Sequence, residues 1–255
     1  MSLLDTKRRV GIESPRGEYE IEGSDRAAEE YRSRLRNACI DHALRLGMQE
    51  GVVLNLGTRT GELAIRLAQC APEVTVLGID SSADRIGAAT EAAESAGLLG
   101  RIHFQTADYR STRFKSEYFD AVLCDGLMHQ TEDPSTLIDE IARLVKSDGA
   151  ILIRDWRRPS MASAWWHWRW FGRKYSTPGR QQFKIQVESS LSYSEWRALL
   201  KHSQLQGSAR LFVEGLQYIG IERPAAASLF AGLAAQRERK EYLAETEGWR
   251  KNIRG

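Results

Sequence analysis

The residues with the means to do chemistry stand where apolar runs end. Gly51 to Gly61 reads GVVLNLGTRTG, an apolar run that breaks at Gly57 and resumes after Gly61 with the helical spacing Leu63, Ile65, Leu67, Ala68. Strand, glycine turn and helix in that order bring backbone N–H groups and a helix N-terminus up to a ligand with little side-chain obstruction, the usual seat of nucleotide-like molecules. Nineteen residues beyond Gly61 a second apolar run, Val74 to Ile79, closes with Asp80. An acid there is placed to accept hydrogen bonds from a ribose. Ala107-Asp108 follows a third run and Asp125-Gly126 a fourth, with His129 just beyond. His129 and Asp125 are the groups able to take a proton from a substrate, although a packed histidine has the same appearance in sequence. Cys124 reads as strand filling, with no neighbour that would lower its pKa.

These positions need a sheet to hold them. A helix capped at Ser24-Asp25 runs to about Leu46, with Leu35, Ala38, Cys39 and His42 along one stripe. Strands are expected at 52–56, 74–80, 102–106, 119–124 and 150–155, and helices at 61–70, 83–96 and 135–145. Ser82, the pair Asp133-Pro134 and the S-x-x-E box Ser192 to Glu195 supply helix starts, and Gly97 and Asp148-Gly149 supply stops. Runs at 209–213 and 216–221 around Glu214-Gly215 read as a hairpin. Strands alternating with helices at this spacing predict an α/β fold with a mostly parallel sheet, covered on both faces.

A chain of 255 residues that is 42% hydrophobic can bury a full core. Its net charge of +2 exerts no global pull toward nucleic acid, and no DNA partner is expected. Cys39, Cys70 and Cys124 show no metal spacing and fall in segments that read as buried, which fits a reduced, cytoplasmic setting and no metal site. No run approaches the length of a membrane span. The expected domains are an N-terminal arm over 1–23, a main domain over 24–224 and a helical extension over 225–255.

From Gly51 to Pro224 the chain resembles the class I S-adenosylmethionine-dependent methyltransferases, and within them the small-molecule branch that includes the ubiquinone and menaquinone biosynthesis enzymes. The resemblance is carried by VVLNLGTRTG, Asp80, Ala107-Asp108, FDAVLCDGLMHQTEDP and LVKSDGAILIRD, in that order and spacing. It implies a Rossmann-like seven-stranded sheet ending in an antiparallel hairpin, S-adenosyl-L-methionine as cofactor, and a small-molecule acceptor. By position it implies a cofactor site of Asn55, Gly57, Thr58, Arg59, Gly61, Asp80, Ser81, Ala107, Asp108, Tyr109, Cys124 and Asp125, with His129 near the acceptor. Asn55 stands where the pattern has an acid, and Arg59 where it has the middle glycine. Arg59 either obstructs the cofactor or grips its carboxylate. A nicotinamide dehydrogenase fits less well, because it needs a glycine at that position for the pyrophosphate.

Residues 156–184 hold Trp156, Trp165, Trp166, Trp168 and Trp170 among many arginines. The first reading is a cover over the substrate side of the sheet or a homodimer interface; the next are a peripheral membrane contact and an RNA-binding surface. The departures at Asn55 and Arg59 keep a second class of function open, a non-catalytic scaffold that binds other proteins.

Overall fold

The computed structural model describes residues 26–110, 112–160 and 184–226. The expected N-terminal arm, the cap at Ser24-Asp25, four of the five clustered tryptophans and nearly all of the C-terminal extension lie outside the described residues.

In chain order the elements are α1 (Arg26–Arg45), β1 (Glu50–Leu56), α2 (Glu62–Cys70), β2 (Glu73–Asp80), α3 (Ala83–Ser95), β3 (Ile102–Thr106), β4 (Phe119–Asp125), α4 (Pro134–Leu144), β5 (Val145–Trp156), α5 (Tyr193–His202), β6 (Arg210–Glu214) and β7 (Tyr218–Arg223). The strands form one sheet in the order β3-β2-β1-β4-β5-β7-β6. All neighbours are parallel except β7, which runs antiparallel to both β5 and β6. The α/β reading and the closing hairpin therefore hold. The strand order reverses between β1 and β4, and at such a switch point the carboxyl ends of the strands leave a crevice for a ligand.

Alternation along the central strands explains the two-sided cover. Val53, Ala121, Leu123, Ala150 and Leu152 enter one apolar layer with Cys39, Ile40 and Ala43 of α1 and Ala64 and Leu67 of α2. Leu54, Val122, Cys124, Ile151 and Ile153 enter the other, with Leu137, Ile138 and Ile141 of α4 and Trp196 of α5. A strand has period two, so each residue's number assigns its layer. Truncating one of these buried leucines to alanine would cost about 2–5 kcal/mol.

Local signals set most helix ends. The Asp133 carboxylate accepts from Ser135 N at 2.9 Å ahead of Pro134. At α5 both halves of the Ser192–Glu195 capping box are formed.

Three expectations are corrected. Helix α4 ends at Leu144, next to the expected Val145, but β5 begins at Val145 instead of Ala150, so Asp148-Gly149 lies within the strand and does not stop the helix. Glu117 N and Tyr118 N donate to the carbonyls of Arg143 and Leu144, and Val145 pairs with Phe119, so tertiary partners draw the chain into the sheet as soon as the helix ends. The hairpin turn lies at 215–217 and β7 starts at Tyr218, because the Gln217 carbonyl accepts from Arg157 N and Tyr218 stacks on Trp156. Cys70, at the end of α2, is exposed, whereas Cys39 and Cys124 are buried. No helix among the described residues is long and apolar enough to cross a membrane.

Candidate active site

The turn after β1 is held by its own side chains. Asn55, 1% exposed, donates from Nδ2 to the Leu123 carbonyl of β4 at 3.2 Å and accepts from Thr58 Oγ1 at 2.8 Å. Thr58 N donates to the Ile79 carbonyl at 2.9 Å, which ties the turn to β2. Asp80 completes the clasp: Oδ2 accepts from Arg59 N at 3.1 Å, Oδ1 accepts from Ser82 N at 3.0 Å, and Arg85 Nη1 lies 3.7 Å from Oδ1. Ser82 then caps α3 through Arg85 N, while Ser81 is exposed between the two.

Gly57 has φ +68° and Leu127 lies against it, so a Cβ would meet the leucine methyls at 3.3 Å. Gly61 has φ +81°, and a Cβ there would come within 2.8 Å of Phe104 and 3.1 Å of Ala89. Only glycine meets both demands at Gly61. Arg59 adopts φ +53° with a full side chain and is exposed.

From β3, Ala107 N donates to the Asp80 carbonyl at 3.0 Å. Tyr109 is partly buried against the core; burial raises its phenol pKa, and the Asp80 and Cys124 groups lie close enough to act on it. Asp108 is half exposed and gripped by Arg110 at 3.0 Å, and this hydrogen-bonded pairing lowers its pKa. Burial holds the Cys124 thiol well above its ordinary pKa, with Asp155 and Asp125 adding to the effect. Cys124 is therefore no nucleophile.

The two expected proton acceptors have separate partners. Asp125 and Arg154 are register partners on β4 and β5, with Arg154 Nε 2.7 Å from Oδ1 and Nη2 3.3 Å from Oδ2. Arg154 is 1% exposed, lies 3.2 Å from Glu214 and stacks over the Tyr218 ring at 4.6 Å. Burial opposes its charge, but the facing Asp125 carboxylate outweighs that, and the guanidinium pKa rises well above its usual value. Asp125 is thereby committed to a two-pronged, charge-assisted pair.

On the opposite face, His129 sits in one turn of 3-10 helix over Met128–Gln130. Its backbone N donates to Asp155 Oδ2 and its Nδ1 lies 2.8 Å from Oδ1, with both side chains buried. A carboxylate oxygen accepts, so Nδ1 is the donor of this contact and Nε2 is the nitrogen left facing away from Asp155. Nε2 has no hydrogen-bond partner among the described residues. Asp155 and Arg154 were visible in sequence only as the end of a strand; nothing local tells that they take His129 and Asp125 from segments about thirty residues earlier.

Gly57, Thr58, Arg59, Gly61, Asp80, Ala107, Tyr109 and Cys124 thus gather around the switch point, while Asp108 is turned into its pair with Arg110 and Asp125 into its pair with Arg154. A cavity of about 360 Å³ lies elsewhere, between α1 and β6, and none of the expected site residues lines it. Among the described residues no cluster of His, Cys, Asp and Glu could hold a metal.

Residues 53–149 match the family model of a methyltransferase domain. An uncharacterized methyltransferase of Mycobacterium tuberculosis is 31% identical over 131 residues, covering 51% of this chain and 62% of that protein. A ubiquinone/menaquinone biosynthesis C-methyltransferase of Geotalea daltonii is 26% identical over 110 residues, covering 43% and 47%. The crystal structure of a SAM-dependent methyltransferase from Aquifex aeolicus superposes with a TM-score of 0.56 at 17% identity, covering 79% of this chain and 98% of that one. Residues 53–149 therefore match a methyltransferase domain, and the sheet has the fold of solved S-adenosylmethionine-dependent methyltransferases. The ubiquinone and menaquinone biosynthesis enzymes are among the proteins that the chain is similar to, and the matched segments span less than two thirds of the length of these curated relatives.

Proposed function

We propose that the chain binds S-adenosyl-L-methionine at the switch point and transfers its methyl group to a small apolar or aromatic acceptor, with His129 as the proton acceptor. The observation that carries this reading is the buried His129–Asp155 pair at the same sheet edge as the glycine turn. The turn fits an adenosyl group on two counts: the Asp80 oxygens each retain a lone pair beyond their amide donors, and Tyr109 offers a ring beside them. Bound there, the cofactor supplies a methyl group on a sulfonium, open to in-line displacement.

The residues of the chain then have three tasks. Asp80 orients the ribose through its hydroxyls, and Asp108 with Tyr109 borders the adenine. Cys124, Gly126 and Leu127 form an apolar wall beside the reacting atoms that keeps water out. His129 accepts the acceptor's proton on Nε2, and Asp155 holds the ring in that tautomer and steadies the charge it gains; general-base assistance of this kind contributes about 10²–10⁴-fold. Asp125, locked to Arg154, shapes the wall.

Calorimetric titration with S-adenosylmethionine and S-adenosylhomocysteine tests the reading. Micromolar binding that weakens at least about tenfold in Asp80→Ala is expected, the equivalent of about 1.4 kcal/mol. Absence of binding at millimolar ligand overturns it. That outcome would favour the second reading, a protein-binding scaffold, which is supported by one observation: both polar ends of Asn55 are already used within the fold.

A further inference from the structure

We infer that the amino-acid end of the adenosyl ligand is recognised through its α-carboxylate by Arg59, and that its α-amino group meets no acid. This rests on the adenosyl-binding reading above.

An ammonium in the site would look for a carboxylate with no partner of its own, and among the described residues each acid bordering the turn has one. Asp80 takes the amides of Arg59 and Ser82, with Arg85 beside it. Glu62, the first residue of α2, pairs with Arg36 at 2.9 Å. Asp125 is held by Arg154 and Asp155 by His129. Asn55 closes β1 with a neutral side chain whose Oδ1 is occupied by the Thr58 hydroxyl and whose Nδ2 is occupied by the Leu123 carbonyl. It offers an ammonium nothing.

The opposite holds for the carboxylate. The Arg59 guanidinium is exposed and makes no hydrogen bond or ion pair among the described residues. It stands in the middle of the turn at φ +53°, a conformation that side-chain-bearing residues rarely adopt, and the Asp80 carboxylate fastens that backbone through Arg59 N. Glycine would be the easier residue there. A cation kept at the cost of backbone strain, beside a turn built for a ligand, marks the side chain as the functional part. Guanidinium matches carboxylate in a two-pronged, charge-assisted geometry that no neutral partner equals.

The test is calorimetric titration of the full chain with three probes: S-adenosylhomocysteine, its analogue lacking the α-amino group (4-adenosylthiobutyrate) and its analogue lacking the carboxylate (3-adenosylthiopropylamine). Loss of the amino group is expected to weaken binding by less than about threefold, and loss of the carboxylate by at least about tenfold. Arg59→Gly should bring the carboxylate-free analogue to within about threefold of S-adenosylhomocysteine, with a melting temperature that does not fall because glycine accepts that φ freely. Amino-group loss that costs as much as carboxylate loss, or discrimination that persists in Arg59→Gly, overturns the inference while adenosyl binding stands. If none of the three probes binds at millimolar concentration, the adenosyl reading itself fails, and this inference with it.

Discussion

Both terminal nitrogens of the buried Arg154 guanidinium donate to the single carbonyl oxygen of Leu35, at 3.3 and 3.2 Å. That oxygen belongs to the middle of α1, so one side chain of β5 fastens the N-terminal helix to the strand edge while its Nε holds Asp125. The anchor has a stability consequence. Arg154→Met leaves Asp125 and Glu214 without their cation and should destabilise the protein by about 3–5 kcal/mol, as loss of one partner of a buried pair does. The midpoint of urea unfolding, read by tryptophan fluorescence, would reveal it. A loss of less than about 1 kcal/mol would show the network to be dispensable.

Asp155 sets the tautomer of His129. In the wild type, long-range ¹H–¹⁵N correlation spectra of the neutral ring should show the proton on Nδ1. In Asp155→Asn the side-chain amide can donate as well as accept, so the Nε2-protonated form should become populated, and methyl transfer should fall by about 10²-fold or more while S-adenosylhomocysteine binding changes little. An unchanged tautomer in the variant would deny Asp155 its positioning role.

Glu222 offers a pH signature. The hydrogen bond from His42, then burial, then Arg210 act on its carboxyl, and the net effect lowers its pKa below the ordinary 4.5. A depressed folded-state pKa contributes stability above the unfolded value, and this is lost as pH falls from about 4.5 through the folded value. Glu222→Gln should therefore lower the melting temperature at pH 7, and the gap from wild type should narrow below about pH 4.5. A gap that stays constant from pH 7 to pH 3.5 would show that the ion pairs contribute nothing.

Gly61→Ala combines a disallowed backbone with a clash against Phe104 and Ala89. We expect a loss of about 1–3 kcal/mol in unfolding free energy and weaker adenosyl-ligand binding. Phe104→Leu in the same background should recover part of the loss by relieving the clash, whereas the φ penalty would remain.

The sheet was legible because near-continuous apolar runs closed by Asp80, Asp125 and Asp155 can hardly be anything but buried parallel strands, and Ser82, Asp133 and Ser192 mark helix starts by chemistry that acts within three residues. Long-range commitments were not. Asn55 was visible as a departure at the end of β1, but its use as a strut between Leu123 and Thr58 depends on which strand lies alongside. Likewise, Asp125 and His129 read as two bases of one site, because four residues of separation conceal the fact that their partners stand on opposite faces of the sheet. The early start of β5 has the same origin: Val145 is drawn into the sheet by Phe119, a contact that no local pattern announces.

Arg154 and Asp155 are consecutive, yet one serves the layer under α1 and the other the layer that holds His129. Their order is therefore a matter of counting. Deletion of a single residue from β5 ahead of them would exchange their faces, setting the Trp156 indole in the place that faces the imidazole and a carboxylate against the Leu35 carbonyl. Most apolar positions of this strand tolerate substitution by residues of similar volume. Its length does not tolerate change, so in relatives of this chain insertions and deletions should be excluded from residues 150–155 more strictly than substitutions are.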